Sequence, residues 1–124
     1  MNVSRNFLIV GSLYLVVGVL LGMYMGAAQT FALAPVHAHI NLLGFTLMTI
    51  FGIAYRVVPR LAASRLAATH FWLHQVGTFF LLVFLYLMLG GYVADARIGP
   101  FMAVPEVLIL IACCVFVLNL FRNA

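Results

Sequence analysis

The residues best suited to chemistry in this chain are four histidines, which occur as two spaced pairs. His37 and His39 are two residues apart, which on a regular α-helix corresponds to a rotation of about 200°. The two side chains would therefore point to opposite faces and could not bind one ion together. Each could instead serve a separate site, because neutral imidazole is a standard axial ligand of haem iron.

Two residues that follow this pair could support such a ligand. Asn41 and Gly44 lie on roughly the same helix face as His37, where they would offer a hydrogen bond and free space. The alternative is that His37 and His39 are interfacial residues at the start of a helix, exposed to water. Both interpretations stay open at this point.

His70 and His74 are four residues apart and therefore share one helix face. This spacing can bind a metal ion or the edge of a second haem. The alternative is a polar face at the membrane interface, where histidines cost little. In either case we expect the two pairs toward opposite ends of the second helix, too far apart to form one compact site.

The remaining candidates are Arg97 and Glu106, which we expect at about the depth of the first histidine pair. Glu106 follows Pro105, a residue that bends a helix and frees a backbone carbonyl. Its carboxylate could accept the second N–H of a ligating imidazole, or it could pair with Arg97 at the interface. We find no general acid or nucleophile, so we do not expect an enzyme, although the sequence leaves the question open.

The elements that carry these residues are predicted to be membrane-spanning helices. Hydrophobic residues make up 67% of the chain and charged residues 6%, whereas a soluble domain has roughly a quarter charged residues. A helix crosses the hydrocarbon core with about 20 apolar residues. Four such runs predict an all-α, integral membrane bundle forming one domain over residues 1–124, with helices at about 7–28, 35–58, 67–93 and 98–121.

The distribution of arginine predicts the topology. The net charge is +4, and the basic residues flank the helix ends at Arg5, Arg56, Arg60, Arg65 and Arg122. The positive-inside rule then places both termini and the loop between the second and third helices in the cytoplasm. We expect a multi-pass protein of a bacterial inner membrane. The arginines are too few and too scattered for nucleic-acid binding.

The first helix carries a stripe of small residues at Gly18, Gly22 and Gly26. This G-x-x-x-G-x-x-x-G spacing lets another helix backbone approach closely within lipid. The spacing does not say whether that neighbour belongs to the same chain or to another copy.

Two stretches of the chain resemble a known family. Residues 37–45, which begin with His37-Ala-His39, together with 52–55 and 58–61, resemble the tenth helix of the catalytic subunit of haem-copper oxidases. The likeness is to the cbb3-type cytochrome c oxidases and nitric oxide reductases. Residues 70–77 are similar to the start of the eleventh helix of the cbb3-type subunit. The resemblance covers roughly residues 35–95.

The resemblance implies roles for particular residues. It makes His37 similar to the ligand of the high-spin haem and His39 similar to the ligand of the low-spin haem. Arg97 stands at about the place where the family supplies arginines to haem propionates, although the local motif matches poorly. The family's copper site needs an adjacent His-His pair that this chain lacks, so no copper and no reduction of oxygen to water are expected.

The resemblance also implies an assembly. The family's twelve helices form three arcs of four, with histidines on the second helix of each arc, and this chain corresponds to one arc. A homotrimer would rebuild the ring, with a haem b between His39 of one copy and His37 of the next.

The sequence thus predicts a cytochrome-like protein that binds haem b and serves electron transfer or the binding of haem or gas ligands. Its expected partners are membrane lipid, further copies of itself and a respiratory-chain redox partner. The expected cofactor-binding residues are His37, His39, Asn41, Gly44, Arg97 and Glu106, with His70 and His74 as a second metal site. The alternatives are a cofactor-free accessory or assembly subunit of a respiratory oxidase, or a small histidine-lined pore or transporter.

Overall fold

The computed structural model describes all 124 residues and is all-α, without strands. Its helices are α1 (Val3–Ala28), α2 (Ala34–Val57), the short α3 (Pro59–Ala63), α4 (Arg65–Leu89) and α5 (Asp95–Asn123). The four long helices are each long and apolar enough to span a membrane. The prediction of an all-α chain with four helices of membrane-spanning length and apolarity is confirmed, and these helices suggest a multi-pass membrane protein.

Local sequence signals set where the helices begin and end. The Asn2 side chain accepts a hydrogen bond from the backbone N–H of Arg5 at 3.0 Å and caps α1. Ser64 caps α4 in the same way, accepting from the N–H of Leu66 at 3.2 Å. Helix α1 ends at Ala28 and is followed by Gln29, which adopts a left-handed conformation with φ of 51°. Pro59 occupies the first turn of α3, where its missing N–H costs nothing.

Helix α2 is not a regular α-helix over its whole length. It is α-helical over Ala34–His39, π-helical over Ile40–Thr46 and α-helical again over Leu47–Val57. The regular helix assumed from the sequence is therefore wrong for the seven residues after His39. A π-helical stretch widens the helix and is frequent at functional sites. Here it directly follows the first histidine pair.

The glycine stripe of α1 packs largely against α2 of the same chain. A Cβ atom added to Gly18 would lie 2.6 Å from Oδ1 of Asn41, and one added to Gly22 would lie 2.9 Å from Cε1 of His37. A Cβ atom on Gly26 would meet nothing within 4 Å. Two of the three glycines thus serve the contact between α1 and α2, because only a missing side chain leaves room for these polar groups.

The core lies toward the end of the bundle that carries Arg5, Arg56, Arg60, Arg65 and Arg122, here called the arginine-rich end. Eight buried residues form its main cluster: Val3, Phe7, Met48, Phe51, Tyr55, Leu61, Ala67 and Phe71. A smaller cluster of Val36, Ile40 and Leu82 lies toward the opposite end. The most extensive packing between the helices is therefore at the arginine-rich end.

Candidate functional site

His37 lies on α2 and is partly buried against α1. Its Nδ1 atom is 2.9 Å from the backbone carbonyl oxygen of Gly18. A carbonyl only accepts hydrogen bonds, so Nδ1 carries the proton and donates it, and Nε2 of the neutral ring keeps its lone pair. The ring fits because Gly22 has no side chain.

His39 is held in the same way by a different carbonyl. Its Nδ1 lies 2.7 Å from the backbone oxygen of Pro35, one turn earlier on α2. Nδ1 therefore donates, and Nε2 again presents a lone pair, on a ring that is half-buried. Histidines that bind metals usually donate their second N–H to a backbone carbonyl or carboxylate, which fixes the ring and its tautomer. His37 and His39 both have this arrangement.

The two predicted supporting residues near this pair behave differently. Asn41 does share a face with His37: its Nδ2 donates to the His37 carbonyl at 2.9 Å and lies 3.4 Å from both ring nitrogens. The space expected beside Gly44 is filled by Tyr14, since a Cβ atom there would lie 2.6 Å from the Tyr14 ring. A cofactor role of Asn41 or Gly44 stays a prediction.

Arg97 and Glu106 are not brought to the first histidine pair within one chain. Both are exposed on α5, which packs mainly against α4 and, at its end, against α3. The Nδ1 atoms of His37 and His39 instead bond carbonyls of α1 and α2. The turn around Glu106 packs on α4 through Pro105, whose carbonyl would lie 3.1 Å from a Cβ atom on Gly77.

The second histidine pair is buried in the bundle. The exposed fraction of His70 and His74 is 0% for both. The alternative that they form a polar face at the membrane interface is wrong. Both lie on the face of α4 that packs inward, against the main core cluster. Thr78, one turn beyond His74, is also fully buried on this face.

Each histidine of this pair has one hydrogen-bonded and one unpartnered ring nitrogen. Nδ1 of His70 lies 2.9 Å from the hydroxyl of Tyr55, and Nε2 of His74 donates to the carbonyl of Leu43 at 3.0 Å. Nε2 of His70, Nδ1 of His74 and the Thr78 hydroxyl have no partner. An unsatisfied buried polar group costs about 1–3 kcal/mol, so three such atoms along one helix face mark a place for internal water or another hydrogen-bonding group.

Aromatic rings enclose the pair. The Phe51 ring lies 4.5 Å from the His70 ring and 5.3 Å from the His74 ring, both edge to face. The ring centroids of Phe7 and Phe116 each lie 5.1 Å from the ring centroid of His70. The sequence pointed to His70 and His74 but missed Tyr55 and Thr78 as their neighbours. The spacing of 70, 74 and 78 at four residues was the available signal for Thr78.

Two cavities bear on these groups. An open pocket of about 650 Å³ lies at the arginine-rich end, and its lining includes Asn2, Ser4, Tyr55 and Arg56. A second cavity, of about 420 Å³, is wholly apolar and lies between α1, α2 and α4. Neither cavity is lined by His37 or His39. The structure contains no group of three or more histidine, cysteine or acidic side chains that could hold a metal ion.

No protein-family model, curated protein or solved structure matches this chain. The resemblance to haem-copper oxidases therefore stays a prediction drawn from residues 35–95. What the structure adds is the hydrogen-bonded state of each histidine ring.

Proposed function

We propose that the chain is a membrane-embedded haem b protein whose axial iron ligands are His37 and His39, and that it serves one-electron transfer or the binding of gas ligands. The observation that carries this proposal is the pair of Nδ1–carbonyl hydrogen bonds, at 2.9 Å to Gly18 and 2.7 Å to Pro35. They leave Nε2 of both rings unprotonated, which is the form that binds iron, although at His37 the Asn41 Nδ2 lies 3.4 Å from Nε2 and would have to turn away from a bound iron. Bound haem would supply the one-electron chemistry.

The placement of the two rings favours a haem shared between chains. His37 packs toward α1 and His39 bonds its own helix, both are only partly buried, and neither lines the pockets described above. One chain would therefore cover only part of a porphyrin, and a second chain would complete the site. In keeping with the resemblance, we propose a homotrimer with a haem between His39 of one copy and His37 of the next, in a bacterial inner membrane with cytoplasmic termini.

The test is an optical spectrum of the protein in mild detergent, oxidised and then reduced with dithionite. We expect a sharp Soret band with resolved α and β bands on reduction, as a low-spin haem gives. His37→Ala and His39→Ala should each lose most of the haem while helix content, measured by circular dichroism, stays unchanged. Trp72→Ala is the control, because Trp72 is 59% exposed on α4 and should keep the haem.

Other results would contradict the haem proposal or the proposed trimer. A wild-type protein that stays colourless after expression with added haem would refute the proposal. So would variants at both histidines that keep the full wild-type spectrum. Cross-linking that yields only monomers or dimers would refute the trimer but not the haem.

One observation favours a second candidate, a cofactor-free accessory subunit of a respiratory oxidase. The His37 ring is packed inside the contact between α1 and α2 and has Asn41 beside it, as a purely structural histidine would. On this candidate His37→Ala lowers the midpoint of thermal unfolding, and neither wild type nor variant binds haem. The same spectra decide between the two.

A further inference from the structure

A polar path leads from the arginine-rich end into the bundle. It begins at the open pocket of about 650 Å³, which Tyr55 lines together with Asn2, Ser4 and Arg56. The Tyr55 hydroxyl lies 2.9 Å from Nδ1 of His70, so the pocket is linked to the buried histidines by one side chain. The whole of Tyr55 is buried, with an exposed fraction of 2%, and its hydroxyl meets His70 inside the bundle.

The path continues along one face of α4. His70, His74 and Thr78 are spaced by four residues, and the rings of the two histidines lie 6.0 Å apart. Each residue has one polar atom that is fully buried and unpartnered. A buried water normally makes two to four hydrogen bonds to groups of this kind, so internal water can join these atoms.

The surroundings favour a proton over a metal ion as the occupant. The groups that face the pair are Tyr55 of α2, Phe7 of α1 and Phe116 of α5, together with Phe51, and none of them carries a charge. A divalent cation would bring two charges into a low-dielectric site that offers no carboxylate or thiolate. Imidazole can accept a proton at one nitrogen and release one at the other, and histidine chains inside membranes are typical proton relays.

We propose that Tyr55, His70 and His74 form a proton path that connects the pocket at the arginine-rich end with the middle of the bundle, with internal water bridging the unpartnered atoms. A hydronium ion in the pocket gives a proton to the Tyr55 oxygen as the hydroxyl proton passes to Nδ1 of His70. His70 releases its Nε2 proton through water to Nδ1 of His74, which then carries the charge as imidazolium because its Nε2 is already protonated. The net change is one O–H bond of hydronium replaced by one N–H bond of His74, and no electron moves.

A use for this proton follows from the proposed function, on which that part of the inference rests. An electron that enters a haem inside a membrane is stabilised by a positive charge nearby, because the dielectric constant is low. His74 is bonded to Leu43, which is four residues after His39 on α2. The path therefore ends close to the proposed haem ligands along the chain. The existence of the path does not depend on haem.

The experiment is hydrogen–deuterium exchange of the imidazole N–H groups, followed by NMR on protein with ¹⁵N-labelled histidine in detergent. In the wild-type protein we expect the N–H groups of His70 and His74 to exchange within minutes despite full burial. Tyr55→Phe should slow both at least tenfold, since it removes the link to the pocket while keeping the ring that stacks on Phe7. Tyr14→Phe is the control, because Tyr14 lies outside the path.

The direction of the change in the N–H exchange rate distinguishes a broken proton path from a destabilised protein. A destabilised bundle opens more often and exchanges faster, whereas a broken path exchanges more slowly. Equal or faster exchange in Tyr55→Phe would overturn the proposal, as would wild-type N–H groups that persist for a day. The measurement uses no haem signal, so a colourless protein would refute the proposed function and leave this result standing.

Discussion

The glycine stripe of α1 allows a prediction with its own internal control. Gly18, Gly22 and Gly26 lie one turn apart on one helix face, yet their surroundings differ. We predict that Gly18→Ala and Gly22→Ala destabilise the bundle and that Gly26→Ala does not. A stripe that served an interface with another copy would predict no such division.

The magnitude follows from the contacts. Replacing glycine by alanine in a helix interior gains about 0.5–1 kcal/mol, and Gly26→Ala keeps this gain because its Cβ meets nothing within 4 Å. At Gly18 the new Cβ would lie 2.6 Å from Asn41 Oδ1, so the amide must move. That motion breaks its 2.9 Å hydrogen bond to the His37 carbonyl. The lost bond costs about 0.5–1.5 kcal/mol, and overpacking adds about 1–3 kcal/mol.

We therefore expect Gly18→Ala to be less stable than Gly26→Ala by about 2 kcal/mol. Gly22→Ala should also displace the His37 ring, whose Cε1 would lie 2.9 Å from the new Cβ, and should reduce haem content in particular. Unfolding in detergent, followed by circular dichroism, measures the first effect, and the Soret absorbance per protein measures the second. Identical unfolding midpoints for all three variants would refute the reasoning.

Three further substitutions test the contacts between the helices. Asn119→Ala should cost about 1–3 kcal/mol, because the Asn119 side chain is fully buried and its Nδ2 donates to the Leu61 carbonyl at 3.1 Å. Unfolding midpoints relative to the exposed control Arg122→Ala on the same helix measure this. Gly77→Ala should destabilise the packing of α4 on α5 by more than about 1 kcal/mol, since its Cβ would lie 2.8 Å from Ile109 Cγ1. Proteolysis of the loop between these helices should then be faster. Ser4→Ala removes the hydrogen bond from the Ser4 hydroxyl to the Gly52 carbonyl and should cost only about 0.6 kcal/mol, the average for such a bond in a membrane bundle. A decrease above about 2 kcal/mol in the free energy of unfolding would contradict this.

The positions of the long helices could be predicted because the bilayer sets the length of each apolar run. The predicted spans begin and end within a few residues of the observed ones, and the differences lie at the ends. Helix α1 begins at Val3 because Asn2 caps it, and α4 ends at Leu89 before the turn at Gly90. The partner of the glycine stripe could not be predicted, because spacing alone describes one surface and not what covers it.

The inward-facing side of α4 could not be predicted from the sequence. Periodicity showed that His70 and His74 share a face, but α4 is apolar nearly all round, so hydrophobicity gives no direction. The π-helical stretch of α2 was missed because its residues, Ile40–Thr46, fit a regular helix equally well by composition. Asn41 was placed correctly beside His37, since the two are four residues apart within or next to the α-helical part of α2.

Helix α2 positions all four histidines, which explains why irregularity there matters for both pairs. It carries His37 and His39 itself, holds His74 through the Leu43 carbonyl, and holds His70 through the Tyr55 hydroxyl. Leu43 belongs to the π-helical stretch, whereas Tyr55 belongs to the α-helical part beyond it. A change in the winding of that stretch would rotate one group of side chains relative to the other. The two histidine pairs are therefore mechanically linked through one helix, although no side chain of one pair bonds the other.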